Sequence, residues 1–324
     1  MFGRRPVRAR HVSAAAVTLA FSLALCAGAA PGAAPGAAPG AAPGAARDDG
    51  DGRARPVDIG GGRRVLLDCR GSGSPTVVLV SGARGASDEW THIADAARPG
   101  ADPEPDPSAV LPEVARSTRV CAYDRPGTTR LDGTPNRSTP VTQPTTAAAG
   151  VGDLRAALAA AGEHPPYVLV GASWGAMIAS LFARTEPART AGLVTVDGAS
   201  PFLEDTLTPA QWSAWMDKVR AMDTGKGLET PDYPGAVREL RGAPALPQGL
   251  PAVVLTSDHP WDLSVGGGST WPAWLAAQRR LAEDLRARHV TDTDSGHGIA
   301  VEQPRLVARA IRDVVEQARA GQER

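Results

Sequence analysis

Ser173 stands in Gly171-Ala172-Ser173-Trp174-Gly175, between the apolar run Tyr167-Val168-Leu169-Val170 and a helix-like repeat that reaches Phe182. Strand, tight turn and helix in that order predict a serine held at the tip of the turn, because the two glycines let the helix pass close to the incoming strand. A serine hydroxyl is a weak nucleophile near neutral pH, so it needs a base within hydrogen-bond reach and an acid to orient that base. Of the six histidines, His11 lies in the N-terminal segment, His92 and His164 sit in or after helical stretches, and His289 opens a strand. His259 follows a strand but is the weaker loop candidate. His297 fits best, in the turn Gly296-His297-Gly298 between the last strand and the final helix. The chemistry these residues predict is acyl transfer through a covalent intermediate.

Other chemistries find little support. There is no H-E-x-x-H and no Cys/His cluster at ligand spacing, so no metal is expected. The Gly71-Ser72-Gly73 pair precedes a strand rather than a helix, which makes it a turn and not a phosphate loop. No cofactor is expected either.

The elements that must position the serine and histidine alternate along the chain. Strands are predicted at Arg64–Cys69, Thr76–Val80, Val120–Tyr123, Tyr167–Val170, Gly192–Val196, Pro251–Thr256 and His289–Asp292. Helices are predicted over 88–97, 145–161, 271–287 and 303–318, with a helical turn before Arg119. This alternation predicts an α/β fold with a mostly parallel sheet covered on both faces. Residues 201–250 break the pattern, with Trp212, Trp215 and Met216 at helical spacing followed by several prolines. They are expected to form a small helical cap, its aromatic stripe serving as core rather than touching substrate.

The N-terminal region is organised differently. Arg4, Arg5, Arg8 and Arg10 precede the uncharged run Val12–Leu25 and the small residues Ala27-Gly28-Ala29. This reads as a cleaved secretion signal over residues 1–29. Residues 30–55 begin with a Pro-Gly-Ala-Ala repeat that has no apolar anchor, and read as a disordered linker to a domain over 56–324. The protein is therefore expected to be secreted. A lipid anchor at Cys26 is disfavoured by the bulky Leu25 before it. The run is too short for a membrane span, so no stable membrane insertion is expected. Over the whole chain the net charge is −1, with no basic block beyond the first ten residues, which gives no electrostatic case for nucleic acid.

The serine turn after the strand Tyr167–Val170, the histidine loop after the last strand and an aspartate after the penultimate strand together resemble the α/β-hydrolase superfamily. Supporting segments are Cys121-Ala-Tyr-Asp-Arg-Pro-Gly127, Leu193-Val-Thr-Val-Asp197 and Ser295-Gly-His-Gly-Ile-Ala-Val-Glu-Gln-Pro304. The resemblance covers about 64–318 apart from the insert at 201–250. It implies an α/β-hydrolase fold in which Ser173 attacks and His297 moves the proton. The acid is expected about three residues past the penultimate strand, where Pro260 stands. Asp262 is preferred, since loops tolerate lengthening, with Asp258 the alternative and Asp197 behind both as a strand-end turn former. The resemblance also implies an oxyanion site made by the backbone N–H groups of Trp174 and Ala83, although Ser81-Gly82 replaces the usual His-Gly. It further places the strands Arg64–Cys69 and Val120–Tyr123 side by side. With Cys26 lost in the signal, Cys69 and Cys121 on those strands are then expected to form a disulfide.

The expected partner is a small acyl substrate: an ester, lactone, thioester or small amide. A serine at the turn argues against the haloalkane and epoxide chemistry that uses an aspartate nucleophile. The competing expectation is a secreted binding protein that keeps the scaffold without turnover.

Overall fold

The computed structural model describes residues 54–98 and 100–322. The expected signal and nearly all of the expected linker lie outside the described residues. Eight strands form one sheet: β1 (Arg55–Gly60), β2 (Arg63–Arg70), β3 (Thr76–Val80), β4 (Val120–Asp124), β5 (Tyr167–Ala172), β6 (Thr190–Val196), β7 (Ala252–Leu255) and β8 (Arg288–Val290). Their spatial order is β1-β2-β4-β3-β5-β6-β7-β8. β1 pairs antiparallel with β2 and β2 with β4, while every pairing from β4 to β8 is parallel.

The central strands read as unbroken apolar runs because both of their faces are buried. Val78, Val80, Cys121, Tyr123, Tyr167 and Leu169 enter one core cluster, and their neighbours Val77, Leu79, Val120, Ala122, Val168 and Val170 enter another. The first cluster is closed by helices α2 (Ala147–Ala160), α3 (Trp174–Thr185) and α7 (Trp271–Asp284). The second is closed by α1 (Val110–Ala115) and α9 (Pro304–Gln322). The starts of α2 and α9 have local causes. Thr146 caps α2 by accepting from Ala149 N at 3.1 Å, and α9 opens with Pro304, suited to a first helical turn.

Residues 201–250 carry α4 (Leu203–Thr206), α5 (Pro209–Ala221) and α6 (Tyr233–Gly242). Thr208 and Gln211 form a reciprocal capping box at the start of α5. Asp232 caps α6 by accepting from Gly235 N at 2.9 Å.

Two local expectations are corrected. The helix expected over 88–97 is only a 3-10 turn, Ser87–Trp90, followed by a two-residue strand, His92–Ile93, paired with Glu104–Pro105. Trp90 is the one fully buried apolar side chain of that stretch, and Ala94 N donates to Val301 O at 2.8 Å, which draws the backbone off the helical path. β1 was not expected at all; Val57 is its one buried residue, too faint an apolar pattern to register. Between β2 and β4, Cys69 and Cys121 are register partners with α-carbons 4.1 Å apart and sulfurs at disulfide distance, 2.06 Å. Such a link across 52 residues contributes about 2–4 kcal/mol. Among the described residues, no helix is long and apolar enough to cross a membrane.

Candidate functional site

The turn between β5 and α3 sets Ser173 at φ 46° and ψ −118°, a left-sided conformation that costs a non-glycine residue energy. The surroundings leave the backbone little choice. A Cβ on Gly171 would lie 2.4 Å from Gly175 O, and one on Gly175 would lie 2.1 Å from Val80 O. Ser173 N donates to Val196 O at 3.1 Å, and Ala199 N donates to Ser173 O at 2.9 Å, so the ends of β5 and β6 hold the turn from both sides.

His297, on the loop between β8 and α8 (Ile299–Glu302), donates from Nδ1 to Asp197 Oδ2 at 2.6 Å. Its Nε2 is then free of a proton and accepts from the Ser173 hydroxyl at 3.1 Å. Asp197 follows β6, is 0% exposed, and has φ 40°. Its Oδ1 accepts from Ser257 N and from Trp274 Nε1, both at 3.0 Å. Three donors therefore hold this carboxylate in one orientation.

This corrects the expected acid. Neither Asp262 nor Asp258 bonds to His297. Asp262 accepts from Thr270 N at 2.5 Å and from Trp271 N at 3.2 Å, and so caps α7. Asp258 accepts from Ser295 N at 2.9 Å and from Thr293 Oγ1 at 3.2 Å, and so braces the loop that carries His297. Both are exposed; desolvation works against their charge, but backbone N–H and hydroxyl donors together outweigh it and leave both below the ordinary carboxylate range. The signal that was available is register. Ala172 pairs with Val196, so the residues after each, Ser173 and Asp197, leave the sheet at the same level.

A model of the alpha/beta hydrolase family matches residues 77–310, well over half of the chain. The chain belongs to the alpha/beta hydrolase family. Among solved structures, it is similar to a putative aryl esterase from Burkholderia cenocepacia at 19% identity, covering 83% of this chain and 100% of that one, with a TM-score of 0.51. A bromoperoxidase from Bacillus anthracis aligns at 15% identity over 82% of this chain and 100% of that one, with a TM-score of 0.54. A thermophilic esterase from Thermogutta terrifontis aligns at 20% identity over 82% and 99% of the two chains, with a TM-score of 0.52. These likenesses show the fold. In sequence, 148 residues are 32% identical to an uncharacterized protein of Schizosaccharomyces pombe, covering 42% of this chain and 26% of that protein's length.

In this alpha/beta hydrolase the loop after β3 faces Ser173, and Ala83 and Ser173 line one cavity. Among the described residues, the amides of Ala83 and Trp174 donate to no protein acceptor. The neighbouring amides are taken: Gly82 N donates to Glu89 Oε2 at 2.9 Å, and Arg84 N donates to Glu229 Oε2 at 2.7 Å. Ser81, standing where the family usually has histidine, is 0% exposed; it accepts from Trp90 Nε1 and donates to Ala86 O, each at 2.9 Å.

A buried ion pair braces the same loop. Arg125 and Glu229 are 3% and 1% exposed and meet in two bonds, of 2.5 Å and 2.9 Å. Arg125 also donates to Ser81 O at 2.9 Å and to Gly82 O at 2.6 Å. Burial works against its charge, but the Glu229 carboxylate outweighs that and raises its pKa. Arg84, at φ 63°, donates from Nε to Glu229 O at 3.1 Å and from its guanidinium to Met222 O. The strained backbone beside Ala83 is thus held by residues of the 201–250 segment. No sequence motif announced Glu229.

Aromatic rings close around the imidazole. Trp261 lies at 4.2 Å from the His297 ring, tilted 39°, and Trp274 at 5.5 Å, near perpendicular. Trp261 Nε1 donates to Ser257 Oγ at 3.0 Å, which fixes its plane. The loop expected to bring the acid therefore brings a tryptophan.

Proposed function

We propose that this protein is a serine-dependent hydrolase of ester-type substrates, with Ser173 as nucleophile, His297 as base and then acid, and Asp197 as the orienting carboxylate. The observation that supports this reading is the unbroken hydrogen-bond chain from Ser173 Oγ through His297 to buried Asp197. The Ser173 oxygen attacks the carbonyl carbon while its proton passes to His297 Nε2, and the new oxyanion is met by the amides of Ala83 and Trp174. Collapse expels the alcohol, which takes the proton back from His297 and leaves an acyl group on Ser173. Water, deprotonated by the same nitrogen, attacks that acyl group and releases the acid. The N-terminus of α3 adds a favourable field for the negative charge. Export remains part of the proposal, since two cysteines at disulfide distance need an oxidising compartment.

Labelling with a fluorophosphonate probe tests the reading. The wild type should react at Ser173 and lose the label in Ser173→Ala, and ester turnover should vanish in His297→Ala. A folded sample that neither labels nor turns over esters would leave the binding-protein reading instead.

A further inference from the structure

Ser173 and His297 open into a cavity of about 170 Å³ whose remaining wall comes from both sides of the molecule. The 201–250 segment supplies Trp215, Val219, Met222, Pro231 and Tyr233, and the scaffold supplies Ala83, Ala199, Trp261, Leu263 and Trp274. Among the described residues, no aspartate, glutamate, lysine or arginine lines it. Burial pushes the Tyr233 hydroxyl well above its ordinary range, so that side chain stays neutral. A carboxylate entering this space would lose its hydration, find no counter-charge and meet the negative faces of the rings.

The rings are packed against one another and not free to spread. Trp215 and Tyr233 lie 4.5 Å apart, Trp212 braces Trp215 at 5.4 Å, and Trp261 and Trp274 lie 4.5 Å apart. An apolar cavity of roughly 150 Å³ is enough to hold benzene. Flat aromatic walls also favour a flat aromatic guest through offset and edge-on contacts.

We propose that the cavity holds an uncharged, ring-sized aromatic group of the substrate, making aryl esters, with the ring on either side of the scissile bond, the preferred class. This rests on the serine-hydrolase reading of the same site and narrows it. Long-chain acyl groups exceed the space, and carboxylate-bearing esters lack a counter-ion in it.

Two readouts separate the two ideas. Turnover of ethyl benzoate, phenyl acetate, ethyl octanoate and monoethyl succinate is followed by pH-stat, and binding of the same four esters to Ser173→Ala by quenching of tryptophan fluorescence. At least one aryl ester should exceed ethyl octanoate and monoethyl succinate by tenfold or more, both in kcat/KM and in affinity. Filling the cavity from α5 with Val219→Trp, or from the opposite wall with Leu263→Phe, should weaken aryl binding by at least tenfold. Selective aryl binding without any turnover upholds the cavity assignment and brings down the hydrolase reading. Turnover or binding of ethyl octanoate or monoethyl succinate equal to that of the aryl esters overturns the assignment and leaves the hydrolase reading standing.

Discussion

Ser173 and Asp197 are fixed by main-chain pairing between β5 and β6, whereas the wall that faces them is fixed by side chains reaching out of the 201–250 segment. On the sheet side, one register pair and two backbone hydrogen bonds set the serine and the aspartate at the same height. On the segment side, a single carboxylate, Glu229, holds Arg125 and the Arg84 amide, and through them the loop that presents Ala83. Geometry carried by a sheet survives most side-chain changes, but geometry carried by one buried ion pair does not.

The largest expected effect lies on the sheet side. Asp197→Asn keeps the shape but removes the charge that fixes the imidazole tautomer, and kcat should fall by about 10³–10⁴-fold. Asp262→Asn and Asp258→Asn should each stay within a few-fold of wild type, because these carboxylates cap α7 and brace a loop instead. Steady-state kinetics on one good ester decides. A loss in Asp262→Asn comparable to that in Asp197→Asn would return the acid to the β7 loop.

The segment side should fail differently. Glu229→Ala strands Arg125 in the interior, so the folded state should lose about 3–5 kcal/mol in urea unfolding. Glu229→Gln keeps the shape and retains enough fold to assay. It should lower kcat by roughly 10–100-fold with a much smaller change in KM, as expected when an oxyanion donor is displaced. Unchanged kcat in a folded Glu229→Gln protein would separate the ion pair from the chemistry.

How far the sequence disclosed this arrangement follows the same division. The strands from β2 to β8, the serine turn and the histidine loop were legible because buried parallel strands read as apolar runs and the turn needs glycine at fixed positions. Asp197 was ranked behind Asp262 and Asp258 because a residue just past a strand looks like a turn former; only pairing with β5 shows it level with Ser173. Glu229 and Glu89 left no local pattern. Glu229 meets Arg125 across 104 residues and Arg84 across 145, and no periodicity or motif spans such distances. Trp215 was expected to be core alone. It is buried, yet it also lines the cavity, because the helix that carries it lies over the site.

A smaller effect is expected where the two sides meet at the imidazole. In the proposed mechanism His297 becomes a cation during attack, and the Trp261 ring 4.2 Å away can stabilise that cation by about 0.5–2 kcal/mol. Trp261→Leu should therefore reduce kcat by roughly 3–30-fold, with Trp261→Phe recovering most of the loss. Equal losses in the phenylalanine and leucine variants would assign the effect to the lost Ser257 hydrogen bond.

The smallest effect tests the loop between the two sides. Burial raises the Glu89 pKa above the ordinary 4.5, a shift opposed in part by the Gly82 N–H and by the charge of Arg125. A carboxyl whose folded pKa is raised contributes most to stability below its unfolded value, and that contribution is lost as pH rises through the folded value. Glu89→Gln still accepts from Gly82 N but carries no charge. Its melting temperature should match wild type below pH 4.5 and exceed it by a margin that grows as pH rises, then levels off. Activity should fall only a few-fold, since the ionised carboxylate lies in the field of His297 without touching Ser173. Melting curves from pH 4 to pH 8 check this. A margin that stays constant with pH, or a wild type that is the more stable at pH 7, would show that Glu89 is not held against its charge and that the Gly82 hydrogen bond alone accounts for its place beneath the loop.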